Sequence, residues 1–137
     1  MKSGGDPEAD MRSVATTVDY TLRKRSLLRD FRTGRVSVYD VCDAHPEIRR
    51  IARNVGESTR AVCPVCRREN LRLLNFVYGE ELDYDNGRVF PTSDIFNGLR
   101  EKYRNFTCYV VEVCVGCSWN HLVRSIRFEN TGGERDV

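Results

Sequence analysis

Two short cysteine pairs carry the clearest chemistry in this sequence, Cys63-Pro64-Val65-Cys66 and Cys114-Val115-Gly116-Cys117. A two-residue gap lets both thiolates of a pair point at one ion from a tight turn, and two pairs supply the four sulfurs of a closed, tetrahedral zinc site. Pro64 and Gly116 suit such turns, because proline presets φ and glycine tolerates a positive φ. We therefore predict a structural Zn²⁺ ion with the ligands Cys63, Cys66, Cys114 and Cys117.

The cysteines also admit other interpretations. One such pair alone is typical of thioredoxin-like redox dithiols, and cysteines of this kind also form structural disulfides. The remaining two cysteines, Cys42 and Cys108, fall on predicted apolar faces, and we expect both to be small buried packing residues. His121 follows Cys117 by four positions. It is an alternative ligand, but with four thiolates available we do not expect it to bind the metal.

Composition limits the class of protein. The chain has 137 residues, 40% hydrophobic and 31% charged, with a formal net charge of +2. This length predicts one domain with a modest core, which a bound metal would stabilise. The low net charge does not by itself require a nucleic-acid partner. No apolar run is long enough to span a membrane, and Met1 to Asp10 lacks the apolar region of a secretory signal. We therefore expect a cytoplasmic protein with reduced thiols.

The first part of the chain has the pattern of two to three helices. Thr16 followed by Asp19 predicts the start of a helix that runs to about Arg32. Ser37 begins a second capping pattern, and Pro46 fits the first turn of a third helix. His45 directly precedes that proline, and we expect it to cap the helix.

Basic residues concentrate on two of these helices. Six basic and two acidic residues lie between positions 19 and 35. One interpretation is a solvated face that keeps the protein soluble, and the other is a face that binds phosphate or an acidic partner. The three-helix rhythm also fits a helix-turn-helix. Arg67 and Arg68, beside the predicted metal, would offset the negative charge of four thiolates. The candidate phosphate or partner contacts are Arg23, Lys24, Arg25, Arg29, Arg49, Arg50 and Arg53.

The second part of the chain has the pattern of strands. Three stretches are rich in the aromatic and branched residues that favour strands, namely Leu71 to Tyr78, Phe106 to Cys114 and Trp119 to Phe128. The dipeptide Asn86-Gly87 predicts a turn. A helix is expected from Thr92 or Ser93 to Tyr103. The predicted fold class is α+β, with an N-terminal helical segment of two to three helices followed by an antiparallel β zinc ribbon with an inserted helix. The predicted organisation is a disordered tail (1–15), the helical segment (16–57), the zinc-ribbon domain (58–129) and a second disordered tail (130–137).

Several stretches, with Cys63-Pro64-Val65-Cys66, resemble an actinobacterial, mycobacterial-type family of proteins of unknown function. The stretches are Val18-Asp19-Tyr20 running into Gly34-Arg35-Val36-Ser37, Asp40-Val41-Cys42-Asp43-Ala44-His45-Pro46-Glu47, and Cys117-Ser118-Trp119-Asn120-His121-Leu122. The resemblance covers nearly the whole chain apart from the tails. It implies a bacterial cytosolic setting and carries over no activity.

These observations favour a non-enzymatic zinc-ribbon adaptor or regulator that acts on nucleic acid or on a transcription or translation complex. The alternatives are a protein–protein regulatory module, whose acidic loop at residues 80–85 meets a partner, and a thiol/zinc redox switch. Four thiolates close the coordination of zinc, and His45 and His121 are the only histidines, so we do not expect an enzyme. A protein partner is expected, a membrane is not, and the pattern leaves the oligomeric state open.

Overall fold

The computed structural model describes residues 13–130, and within them five antiparallel strands form one curled sheet. The strand order across the sheet is β1-β5-β4-β3-β2. The strands are β1 (Ser13–Asp19), β2 (Glu57–Val62), β3 (Asn70–Tyr78), β4 (Asn105–Val113) and β5 (Asn120–Asn130). Three helices connect β1 to β2, namely α1 (Thr21–Arg32), α2 (Val38–Val41) and α3 (Pro46–Val55).

The chain enters the sheet before its first helix. Residues 13–19 are rich in β-branched side chains, which favour an extended backbone. This segment pairs with β5, with Ser13 opposite Asn130 and Asp19 opposite Arg124. The helix predicted from Thr16 is therefore wrong at its start. The helix begins at Thr21, whose amide donates to the Asp19 carboxylate at 2.7 Å.

The predicted fold class is also wrong. The helices are not an N-terminal segment that precedes a zinc ribbon, because β1 lies ahead of them and pairs with the last strand of the same sheet. They are the connection between the two edge strands. Local capping patterns identified the helices, but only long-range pairing shows which strands they join. Residues 1–12 and 131–137 of the predicted tails lie outside the described residues, whereas residues 13–15 and 130 belong to strands.

The later helix starts agree with their sequence patterns. Ser37 forms a reciprocal capping box with Asp40 at the start of α2. His45 accepts the amide of Glu47 on Nδ1 at 3.0 Å, and Pro46 is the first residue of α3. The predictions for these two helix starts are confirmed. Along residues 13–130, none of the helices is both long and apolar enough to cross a bilayer.

Helices α1 and α3 cover opposite faces of the sheet. Lys24 of α1 reaches Glu112 on β4, whereas Ala52 of α3 packs against Leu74 and Val113. Successive side chains of a strand point to opposite faces, so Glu112 and its neighbour Val113 mark the two sides.

The end of the sheet away from the cysteine pairs has an apolar core. Phe106 and Phe128 stack with ring centroids 4.6 Å apart, next to Val77. Ile95 and Leu99 cover them from the helix predicted between Thr92 and Tyr103, which runs without a break from Thr92 to Lys102. Its middle is a π-helical turn (Ile95–Leu99) between α4 (Thr92–Asp94) and α5 (Arg100–Lys102).

Candidate metal centre

Sheet topology brings the two cysteine pairs to one end of the molecule. The first pair lies in the loop from β2 to β3, and the second lies in the loop from β4 to β5. Strands β3 and β4 are antiparallel neighbours, with Arg72 opposite Val113. The beginning of β3 therefore meets the end of β4, and the two loops face each other.

The four sulfurs form a compact group. The Sγ atoms of Cys63, Cys66, Cys114 and Cys117 all lie within 4.8 Å of one another. The Sγ atoms of Cys63 and Cys117 are 3.7 Å apart, and those of Cys66 and Cys114 are 3.6 Å apart. Zinc–sulfur bonds of about 2.3 Å in a tetrahedron require sulfurs about 3.8 Å apart. The group therefore fits one tetrahedral metal ion.

The two loops share the same backbone turn. The amide of Arg67 donates to the Cys63 carbonyl at 3.1 Å, and the amide of Ser118 donates to the Cys114 carbonyl at 3.0 Å. Each donor follows the second cysteine of its pair and has a positive φ, 61° for Arg67 and 77° for Ser118. Sequence reasoning did not predict that Arg67 and Ser118 close these turns with a positive φ, although each of them directly follows a cysteine pair. We define these two turns, residues 63–67 and 114–118, as the cysteine knuckles.

Burial raises the pKa of three of the four knuckle thiols and so favours their neutral form. Burial raises the pKa of Cys114, and it raises the pKa of Cys117 to about 12. Burial also opposes ionisation of Cys66, but the backbone N–H groups of Arg68 and Glu69 and neighbouring thiols bring its pKa to about 6. A metal cation provides the positive charge that lets such buried sulfurs ionise together.

A polar contact around the buried carboxylate of Glu112 joins α1 to the strand that leads into the second knuckle. Trp119 is fully buried directly after the second knuckle and packs in the same cluster as Cys63 and Cys114. Its Nε1 donates to Glu112 at 2.8 Å, and Lys24 Nζ lies 2.7 Å from the same carboxylate oxygen. Both the indole and the ammonium therefore satisfy the buried carboxylate.

Arg49 of α3 contacts the second knuckle from the opposite face. Its guanidinium donates to the carbonyl oxygens of Val115 at 2.6 Å and Gly116 at 3.3 Å. Its Nε is buried and has no hydrogen-bond partner among residues 13–130. Arg67 and Arg68, predicted to offset the thiolate charge, have exposed side chains. Arg49 is thus a half-buried cation in contact with a knuckle.

The candidate phosphate contacts do not form one surface. Lys24 and Arg49 are engaged in the contacts just described, and Arg23 lies over the Tyr20 ring at 5.2 Å. Arg50 pairs with Glu47. The remaining three candidate residues are exposed. Arg25 and Arg29 lie on α1, whereas Arg53 lies on α3, which covers the opposite face of the sheet.

Cys42 is the residue that sequence reasoning placed least well. It was predicted to be buried, yet it is partly exposed and its Sγ lies 3.4 Å from the Sγ of Cys117. Cys108 is buried in the apolar core as predicted, and burial raises the pKa of its thiol to about 12. His121 is not in the four-sulfur group. It stacks on Trp119 with centroids 5.9 Å apart, and burial lowers its pKa.

The sheet and the sulfur group define a small antiparallel β protein with a four-cysteine cluster that can hold a metal ion. Residues 11–136 match DUF5318, a family of unknown function, and the chain belongs to this family. The chain is 44% identical over 108 residues to uncharacterized protein Rv0049 of Mycobacterium tuberculosis and to uncharacterized protein Mb0050 of Mycobacterium bovis. The matched region covers 79% of this chain and 78% of each relative. No solved structure matches the chain. The family resemblance predicted from the sequence is confirmed.

Proposed function

We propose that this protein is a non-enzymatic, zinc-binding adaptor or regulator. The observation that carries the proposal is the group of four sulfurs within 4.8 Å of one another on two knuckles of the same geometry. Thiolate sulfur suits zinc, and four thiolates leave no open coordination position for a substrate. The ion would act as a structural crosslink between the two loops. Because the thiols are free, we also propose that the protein works in a reducing compartment such as the cytoplasm.

Residues around the cluster have supporting roles in this proposal. Cys63 and Cys114 would bind the ion from the buried side, while Trp119 and Leu71 exclude water behind them. Backbone N–H groups aimed at sulfur stabilise the thiolate form, as that of Val65 does at 3.4 Å from the Cys63 Sγ.

Metal content tests this proposal directly. Protein purified without chelators should hold one zinc per chain, measured by elemental mass spectrometry. Exchange with Co²⁺ should give the visible absorption of a tetrahedral thiolate site. Preparations that contain no stoichiometric metal, and that take up none when reduced, would contradict the proposal.

For the partner, we propose nucleic acid or a nucleoprotein complex. The support is the exposed side of α1, where Arg25, Arg29 and Arg32 surround Leu28 and Thr33 in an open crevice of about 410 Å³. In the described part of the chain these arginine side chains have no hydrogen bond or ion pair. A guanidinium group can donate two parallel hydrogen bonds to one phosphate group. An acidic protein would offer similar chemistry and is the alternative partner.

A salt titration with RNA and DNA, followed by recovery of partners after nuclease treatment, separates the two partners. Binding to RNA or DNA should weaken as salt rises, with a logarithmic slope of about 0.7–0.9 per phosphate contact. The double variant Arg25→Glu/Arg29→Glu should lose binding, while Arg53→Glu on the opposite face is the matched control. If neither nucleic acid binds, or if affinity is independent of salt, the nucleic-acid proposal fails. Recovery of one protein after nuclease treatment would then support the alternative.

A further inference from the structure

A fifth thiol lies against the four-sulfur group. Cys42 directly follows α2, and its Sγ is 3.4 Å from the Sγ of Cys117. The residues that follow it attach this loop to the second knuckle. The amide of Ala44 donates to the Ser118 carbonyl at 3.0 Å, and Asn120 donates to Asp43 at 2.9 Å. The contact between the two sulfurs is therefore held by two further hydrogen bonds.

Exposure and close contact together single out Cys42 and Cys117. Cys63 and Cys114 have no exposed surface, whereas Cys42, Cys66 and Cys117 are partly exposed. The sulfur of Cys66 lies within 4.8 Å of the other three in its group and is 3.6 Å from that of the buried Cys114. The sulfurs of Cys42 and Cys117, 3.4 Å apart, therefore offer a small oxidant two adjacent and partly exposed thiols.

We propose that Cys42 and Cys117 form a modification site at which a hydroperoxide produces a reversible disulfide. The inference rests on the proposed zinc function, because formation of this disulfide removes one ligand from the metal. A Cys42–Cys117 disulfide would leave Cys63, Cys66 and Cys114 as the remaining thiolates, and the weakened site would release its ion.

The reaction balances with hydrogen peroxide as the oxidant. The two sulfurs give up two electrons and form one S–S bond, and the O–O bond of the peroxide breaks to give two water molecules. One proton comes from the Cys42 thiol and one from solvent, because Cys117 would already be a thiolate when it holds the ion. A sulfenic acid on one sulfur, attacked by the other, is the ordinary intermediate of such a reaction.

The geometry requires a small movement. A disulfide has sulfurs about 2.05 Å apart, so the present separation of 3.4 Å must shorten. Cys42 lies in a loop outside the sheet, and this lets it approach without disturbing a strand. Formation of the bond would also fix the end of α2 to the second knuckle.

The experiment uses the full chain loaded with zinc and treated with hydrogen peroxide. Zinc release is followed with a metal-sensitive dye, and cysteine pairing is mapped by peptide mass spectrometry. Wild-type protein should release zinc, yield Cys42–Cys117 as its main disulfide, and bind zinc again after reduction. The variant Cys42→Ser should bind zinc normally but release it about tenfold more slowly, because the other sulfurs near Cys117 would themselves be bound to the ion and would resolve the oxidised sulfur more slowly than a free thiol. Cys108→Ser, which removes a thiol from the distant core, should behave like wild type.

Two results would overturn the inference. One is equal zinc release by wild type and Cys42→Ser, and the other is a main disulfide within a knuckle, Cys63–Cys66 or Cys114–Cys117. Peptide mapping needs no metal, so it remains decisive if the protein holds none. In that case the proposed zinc function fails, while a Cys42–Cys117 crosslink still supports the oxidation site and its absence overturns it.

Discussion

The two ends of the sheet are stabilised by different physics. At the knuckle end, thiols and the carboxylate of Glu112 are buried together with Trp119 and aliphatic side chains such as Leu71, and four sulfurs form one compact group. At the opposite end, Phe106 and Phe128 stack beneath an apolar cover from Ile95 and Leu99. Apolar burial depends little on redox state, whereas a thiolate site depends on metal, pH and oxidation. We therefore expect the apolar end to be stable by itself, and the knuckle end to be stable only with reduced thiols and a bound ion.

The same contrast holds for the polar contacts at each end. At the knuckle end, Glu112 is buried and needs both of its partners. In the acidic loop near the apolar end, Glu81 is exposed and accepts the amide of Arg104 at 2.8 Å, and Asp85 accepts the Tyr103 hydroxyl at 2.9 Å. These carboxylates attach the loop to its own sheet. Exposed polar contacts such as that of Glu81 contribute little to stability, so we expect most of the stability of this end to come from its aromatic core.

Loss of a cysteine from the sulfur group should have the largest effect. Structural zinc contributes about 10 kcal/mol or more to the folding of small zinc-binding peptides, so if the proposed zinc function holds, Cys114→Ala should abolish stable folding of the knuckle end. Cys108→Ala is the matched control, because both thiols are buried and only Cys114 belongs to the sulfur group. Thermal unfolding with and without a chelator measures the effect. If Cys114→Ala were as stable as Cys108→Ala, the knuckle end would not depend on its sulfur group, and the proposed difference between the two ends would be wrong.

Truncation of the aromatic stack should be the next largest effect. Phe128→Ala deletes a fully buried ring and should lower the free energy of unfolding by about 3–5 kcal/mol. Metal content should stay at the wild-type level, because this ring lies at the other end of the sheet. Denaturant unfolding and elemental analysis on one sample test both statements. Loss of metal together with stability would show that the two ends are coupled.

The buried ion pair should have an intermediate effect. Lys24→Gln leaves the Glu112 carboxylate buried with only Trp119 as its donor, and should cost about 2 kcal/mol since the lysine is partly exposed. Glu112→Gln should cost less, because its amide oxygen can still accept from Trp119 while the ammonium returns to water. Denaturant unfolding of both single variants and the double variant gives the coupling energy. If Glu112→Gln destabilised the protein more than Lys24→Gln does, the explanation based on a buried carboxylate that needs both partners would be wrong.

Backbone strain in the knuckles should have the smallest effect. Arg67 has φ of 61°, a conformation that costs most residues about 1 kcal/mol and glycine very little. Arg67→Gly should therefore stabilise the protein by up to about 1 kcal/mol, and Arg67→Val should destabilise it, because a β-branched side chain tolerates this conformation worst. Unfolding midpoints of the two variants test the sign. If Arg67→Val stabilised the protein, the backbone of this turn would not be strained at residue 67.

Local patterns in the sequence predicted local structure. The capping pattern at Ser37, the helix start at Pro46 and the buried strand around Phe106 all correspond to features of the structure. These elements depend on hydrogen bonds and side-chain periodicity over a few residues, which a sequence displays directly. The spacing within each cysteine pair likewise predicted two turns of the same kind, and the structure has both.

Tertiary structure decided everything that depends on distant segments. The pairing of Ser13–Asp19 with β5 turned a predicted helical domain into an insertion between strands, and local propensity carries no information about such a partner. The placement of Cys42 beside Cys117 is of the same kind, because a loop from the helical connection meets a knuckle far along the chain. The type and spacing of the cysteines alone therefore predicted which four sulfurs could bind an ion in this protein. The sheet decided how closely those sulfurs meet, because antiparallel pairing of β3 with β4 sets the distance between the two loops.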